Sequence, residues 1–84
     1  LSLAGNVTLQ ALEIASLQSQ IKAAQEVIAA DTETLSLAEK AVKLGAQPEV
    51  STLVPGAQLA QDEAALPPLK RRLSEARNAF AALL

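Results

Sequence analysis

The 84-residue chain has no cysteine and no histidine, which removes most reactive side-chain chemistry at the outset. Without cysteine there is no disulfide, no thiolate metal ligand and no thiol nucleophile, while the redox compartment stays open. Without histidine the remaining acids, bases and nucleophiles are carboxylates, lysines and hydroxyls, and no nucleophile–base set converges in the sequence. The chain therefore reads as a non-enzyme, with no catalytic residues, no metal site and no cofactor. Methionine, tryptophan and tyrosine are also absent, and Phe80 is the one aromatic residue. A nucleic-acid surface needs a basic stripe, usually with stacking aromatics. The net charge is −2 and the basic run is limited to Lys70-Arg71-Arg72, so nucleic acid is excluded as a partner. No window approaches the roughly 18 uncharged apolar residues that a spanning helix needs, so the chain does not cross a bilayer as a helix. It opens on Leu1 with neither a charged leader nor a small-residue cleavage site, and reads as a piece of a longer protein whose targeting signal lies elsewhere.

What is present is aliphatic: half of the residues are apolar, and nearly all of that weight is Ala, Leu, Val and Ile. This is helix-bundle composition, with small side chains that permit close helix approach. A chain of this length forms one small domain at most and buries too little surface to be comfortably stable alone.

Residues 39–50 form the hinge. Lys40 and Lys43 suit the negative end of a helix, and Gly45 takes the left-handed conformation that ends one. Pro48 has its angle preset for a first helical turn, and Glu49 suits the positive end of a new helix. The expectation is an all-α, coiled-coil-like antiparallel hairpin with a tight turn near 45–47. Its first arm runs from about 6 to 44 and its second from about 48 to 84.

In the first arm Val7, Ile14, Ile21, Ile28, Leu35 and Val42 recur every seven residues, forming the a positions of a heptad. The matching d positions, Gln10, Leu17, Ala24, Asp31 and Ala38, are mostly small or polar, which predicts a narrow, close seam. Leu9, Ser16, Ala23, Ala30, Leu37 and Leu44 occupy c, with Val27 and Ala41 at g. Positions c, g, d and a make one wide apolar arc, broader than a two-stranded coil needs, so the helix should touch more than one neighbour. The polar arc, with Glu39 and Lys43 at i,i+4 spacing, reads as a solvated face. Asn6 is a candidate cap, with residues 1–5 frayed or extended before it. A helix of about 38 residues would span roughly 57 Å.

The second arm resumes the pattern with Leu59, Leu66, Leu73 and Phe80 at a, and Leu69, Ala76 and Leu83 at d. Folding about Gln47 pairs Leu35 with Leu59, Ile28 with Leu66, Ile21 with Leu73 and Ile14 with Phe80. Pro55 and Pro67-Pro68 predict a kinked arm in three pieces, 48–54, 57–66 and 68–84; the alternative is a continuous helix that the prolines only bend. Asp31-Glu33 and Asp62-Glu63 can face each other across the hairpin as a carboxylate cluster. The set is sparser than metal sites normally require, and reads as two hydrated acidic patches. Gly45 follows no strand and opens no glycine-rich loop, so it is no phosphate cradle.

The run Leu44-Gly45-Ala46-Gln47-Pro48-Glu49-Val50-Ser51-Thr52-Leu53, then Ala57-Gln58-Leu59-Ala60-Gln61, Ala65-Leu66-Pro67-Pro68-Leu69, Leu73, Arg77-Asn78 and Leu83-Leu84, resembles the TolC-like outer membrane factors. It is similar in particular to the NodT-type lipoproteins of efflux systems. Glu13-Ile14-Ala15-Ser16-Leu17, Gln20-Ile21, Ala24 and Ile28-Ala29-Ala30-Asp31 extend the likeness into the first arm. The resemblance spans nearly all of this chain but a small part of a family member. It implies a trimeric parent protein of a Gram-negative bacterium, in which an outer membrane β-barrel continues into a periplasmic α-barrel of helical hairpins. It further implies that the tip, Leu44, Gly45, Ala46, Gln47 and Pro48, meets a periplasmic adaptor and through it, indirectly, an inner-membrane pump. Where the family often has an aspartate that holds the entrance closed, this chain has Ser51, so no charge-based gate is implied there. Pro55-Gly56 departs from the family's usual polar helical pair.

Two other function classes compete. One is the hairpin of a periplasmic adaptor, which usually carries an Arg and a Leu at set spacings before its turn; no Arg precedes Gly45. The other is a free coiled-coil scaffold that binds partner helices.

Overall fold

The computed structural model describes residues 3–84. It is an all-helical, elongated hairpin: α1 spans Leu3–Lys43, a single 3₁₀ turn spans Glu49–Thr52, α2 spans Leu53–Ala64 and α3 spans Leu66–Leu83. At 1.5 Å per residue, the 41 residues of α1 give a helix of about 61 Å. That accounts for the long axis of a molecule measuring 64 × 15 × 14 Å. The Cα radius of gyration is 19.2 Å, against about 12 Å for a compact domain of this length. The second arm lies along the first as one helix pair, with no further layer.

No proline falls within α1, and Ala, Leu, Gln and Glu carry it through its length. Its β-branched polar residues are absorbed locally. The hydroxyls of Thr8, Thr32 and Thr34 donate to the carbonyls of Ala4, Ile28 and Ala30, at 3.0, 2.8 and 3.0 Å. Residues 3–5 are already helical, so Asn6 is an internal, half-buried residue, not a cap. The back-bond from Thr8 to Ala4 holds this opening turn. Leu1 and Ser2, expected to fray, lie outside the described residues.

The end of α1 follows from Gly45, whose φ of +78° is the positive value that glycine adopts without a Cβ clash. Ala46 N–H donates to the Ala41 carbonyl at 2.8 Å and Gly45 N–H to the Val42 carbonyl at 3.0 Å. This is the paired bonding of a Schellman motif, which satisfies carbonyls the helix leaves free. Lys40 and Lys43 lie in the last turn.

Pro48 stands just outside the second arm, with an extended ψ of 154°, where a first helical turn had been expected. Its carbonyl accepts from Ser51 N–H at 3.0 Å, and the Thr52 hydroxyl donates to the Glu49 carbonyl at 2.9 Å. The 3₁₀ turn passes directly into α2, because Thr52 and Leu53 both have right-handed helical angles. Pro55 is the third residue of α2, where its missing N–H would have lacked an intrahelical partner anyway. The expected break around 55–56 is therefore absent, and helix runs unbroken from Leu53 to Ala64. The one interruption falls at Ala65, whose angles remain helical (φ −76°, ψ −20°) and whose N–H reaches the Asp62 carbonyl at 3.2 Å. Pro67 and Pro68 follow as second and third residues of α3, again in a first turn. The prolines segment the arm without turning the chain away.

The seam follows the heptads. Every a residue of α1 from Val7 to Val42 is half-buried, as are Leu59, Leu66, Leu73 and Phe80. Ile21 and Leu73 line one groove, and Ile28 and Leu66 another, so the register expected for those two pairs is the one observed. Among the described residues the buried ones are Leu17 and Ala76, 4% and 5% exposed. Both are d residues, and a large side chain opposite a small one lets the helices close up. Glu39 and Lys43 are both exposed, as a solvated face implies; Arg71 Nε lies 3.9 Å from Glu75 Oε1 on the exposed side of α3.

Candidate functional site

Three features stand out on this scaffold: the tip, the uncovered face of α1 and a carboxyl pair inside the seam. At the tip, Leu44, Gly45, Ala46, Gln47 and Pro48 are all exposed, with Leu44 84% accessible. The turn holds Leu44 outward, because its N–H is bonded to the Lys40 carbonyl at 3.0 Å and the chain reverses at the next residue. Val50, Leu53 and Val54 extend this apolar cap, each more than 60% exposed. Sequence reasoning had not placed these three in the site. Their i, i+3, i+4 spacing is the signal, since it puts them on one stripe at the start of the second arm. Gly45 has open space around its Cβ position, so the backbone angle alone requires glycine there.

Ser51 lies in the 3₁₀ turn and is half-buried. Its hydroxyl oxygen is buried without a hydrogen-bond partner. Ser51 is tied to the tip by its N–H, which donates to the Pro48 carbonyl at 3.0 Å.

Along α1, the apolar arc divides in two. The a and d rows pack on the second arm, whereas Leu9, Ser16, Ala23, Ala30, Leu37 and Leu44 at c are exposed along the whole helix. Leu9, Val27 and Leu37 are 52%, 47% and 59% accessible. A single helical partner covers only part of the arc.

Of the four acids expected to gather across the hairpin, the fold brings two together. Asp31 lines a groove together with Gln58, whose side chain bonds Asp62, so the two aspartates come together from facing arms, while Glu33 and Glu63 are exposed. Gln58 Nε2 donates to Asp62 Oδ2 at 3.0 Å, and Asp31 Oδ2 is buried with no donor. Asp31 is raised above the ordinary carboxyl value, first by its hydrogen bond to Asp62, then by desolvation and by the negative charge of Asp62. Asp62 is lowered by the hydrogen bonds from Asp31 and Gln58, against the opposing effect of burial. Among the described residues no group of three or more acids forms a metal-binding cluster, and no helix is long and apolar enough to cross a membrane.

No protein-family profile, curated protein or solved structure matches the chain.

Proposed function

We propose that the chain is a structural part of the periplasmic α-barrel of an outer membrane efflux channel in a Gram-negative bacterium. In this reading the hairpin lies side by side with other hairpins in the tunnel wall of a trimeric parent protein. Its tip, Leu44 to Pro48 with Val50, Leu53 and Val54, contacts a periplasmic adaptor, which links it indirectly to an inner-membrane pump.

The observation that carries the proposal is the uncovered c row of α1. A self-contained hairpin would carry polar residues there; this one carries Leu9, Ala23, Ala30, Leu37 and Leu44, all exposed. The accessible surface points the same way: it is 5929 Å², against about 4,700 Å² for a compact monomer of this mass. The excess is comparable to the smaller stable protein–protein interfaces, about 1,200 Å² in total. A wall element with neighbours on either side would cover such a face with small and medium aliphatic side chains.

Sedimentation of the chain tests the wall contact. The wild-type chain should self-associate, and Leu37→Lys should sediment as a monomer with unchanged helicity, because Leu37 lies outside the seam. A wild-type chain that stays monomeric at high concentration refutes the wall contact. For the tip, a cysteine replacing Ala46 in the complete reading frame should cross-link to an adaptor in cells. Flanking β-rich domains around a single hairpin in that frame would instead identify an adaptor.

A further inference from the structure

Asp31 and Asp62 sit where a coiled seam ordinarily holds aliphatic side chains. Asp31 is a d residue of α1, in the same row as Leu17 and Ala24; Asp62 is a d residue of the second arm, in the same row as Leu69 and Ala76. Both are half-buried. One turn either side of Asp31 stand Val27, Ile28, Thr34 and Leu35, and one turn either side of Asp62 stand Gln58, Leu59, Ala65 and Leu66. Asp31 lines a groove with Thr34, Val54, Pro55 and Gln58, none of them charged; the neighbouring groove beside Ile28 carries Glu63 of α2 and Lys70 of α3. Among the described residues neither aspartate forms an ion pair.

Two carboxylates brought together across a seam cannot both ionise without repelling, and a buried oxygen needs a partner. Gln58 supplies a donor to Asp62, whereas Asp31 Oδ2 has none. A proton held on Asp31 turns that orphan acceptor into a donor toward the Asp62 carboxylate and leaves one negative charge, which Gln58 also stabilises. We propose that Asp31 and Asp62 form a proton-dependent clasp in the hairpin seam, closed while the two carboxyl groups share one proton and loosened once both are ionised. The clasp follows from the hairpin geometry alone and holds whatever the hairpin assembles with.

The pH dependence has two limbs. Asp31, raised on folding, contributes stability below the ordinary carboxyl value of 3.8, and that contribution is lost as pH rises through its raised value. Asp62, lowered on folding, contributes stability above that same ordinary value, lost as pH falls through its depressed value. Because the two titrate as a unit, the clasp is tightest in a window bracketing 3.8 and weakens toward neutral pH.

A carboxyl-carbon NMR titration of the chain, with thermal unfolding followed by circular dichroism over the same pH range, reads both limbs. Asp31 and Asp62 should titrate in linked steps on opposite sides of the ordinary value, and the melting temperature should fall as pH rises out of the window. Asp31→Asn replaces the shared proton with a permanent amide donor, so it should lose that fall and collapse Asp62 to a single step. Asp62→Asn should likewise lose the fall. Independent, ordinary titration of both aspartates overturns the proposal, as does a wild-type pH slope retained in both variants. Should an asparagine variant fail to fold, the wild-type titration decides alone.

Discussion

Shortening Leu17 to alanine separates burial in the seam from simple loss of an apolar side chain. Leu17 is 4% exposed against the second arm, whereas Leu37 is 59% exposed on the same helix. Leu→Ala removes about three methylene equivalents, and at about 0.8 kcal/mol each the loss at Leu17 is about 2.4 kcal/mol. In an enclosed core a cavity penalty adds to this and brings the range to about 2–5 kcal/mol. Here the seam is a single row of side chains whose flanks open to solvent, so the cavity penalty is small and the loss stays near 2–3 kcal/mol. For a domain of this size, that corresponds to a fall in melting temperature of about 10–20 °C. The same substitution at Leu37 removes atoms that are already largely in water, and should cost under about 1 kcal/mol in dilute solution. Thermal unfolding by far-UV circular dichroism, with both variants at the same low concentration, makes the comparison. Equal shifts would refute the seam as the main source of stability. Raising the concentration until the chain associates should enlarge the Leu37 effect alone.

The two described glycines with open Cβ positions predict opposite signs. Gly45→Ala forces an L-residue to a φ of +78° and should cost about 1–2 kcal/mol, whereas Gly56→Ala, inside α2 with open space around it, should add about 0.5–1 kcal/mol; urea unfolding ranks the pair, and the same sign for both would show that the turn is not held by Gly45. Ile28→Asp places a charge in the half-buried seam beside Leu66, in a groove where Lys70 can offset only part of its desolvation, and should lower the melting temperature sharply, with unchanged melting counting against the a-row assignment; Ile21→Asp, beside Leu73, should behave alike.

Much of the fold is legible because one period governs it. The a and d rows that a heptad count selects are the rows that become half-buried or buried, and Gly45 alone marks the reversal. The register of Ile21 with Leu73 and of Ile28 with Leu66 follows from counting outward from that turn. The prolines were harder to read, because their effect depends on where helices start. Each of Pro55, Pro67 and Pro68 falls in a first turn, and the 3₁₀ turn and Ala65 reset the hydrogen-bond ladder just before them. The heptad also explains why Asp31 and Asp62 meet: both are d residues, while Glu33 and Glu63 occupy outward positions. Val50, Leu53 and Val54 escaped notice because a short apolar stripe beside a turn looks like a continuation of the seam. Only the reversed chain direction reveals that it faces outward at the tip.

The antiparallel register has a consequence for how hairpins of this kind can vary in length. Seven residues added to α1 between Asp31 and Gly45 would slide Asp31 from Asp62 to a position opposite Leu69, parting the two carboxyls and leaving that of Asp31 against an aliphatic side chain. The same seven residues added simultaneously to the second arm would restore every pairing beyond the insertion. Lengthening is therefore tolerated in matched heptads on both arms, like rungs added to a ladder, and a sequence that gained a heptad on one side only would have to exchange its aspartates along with its length.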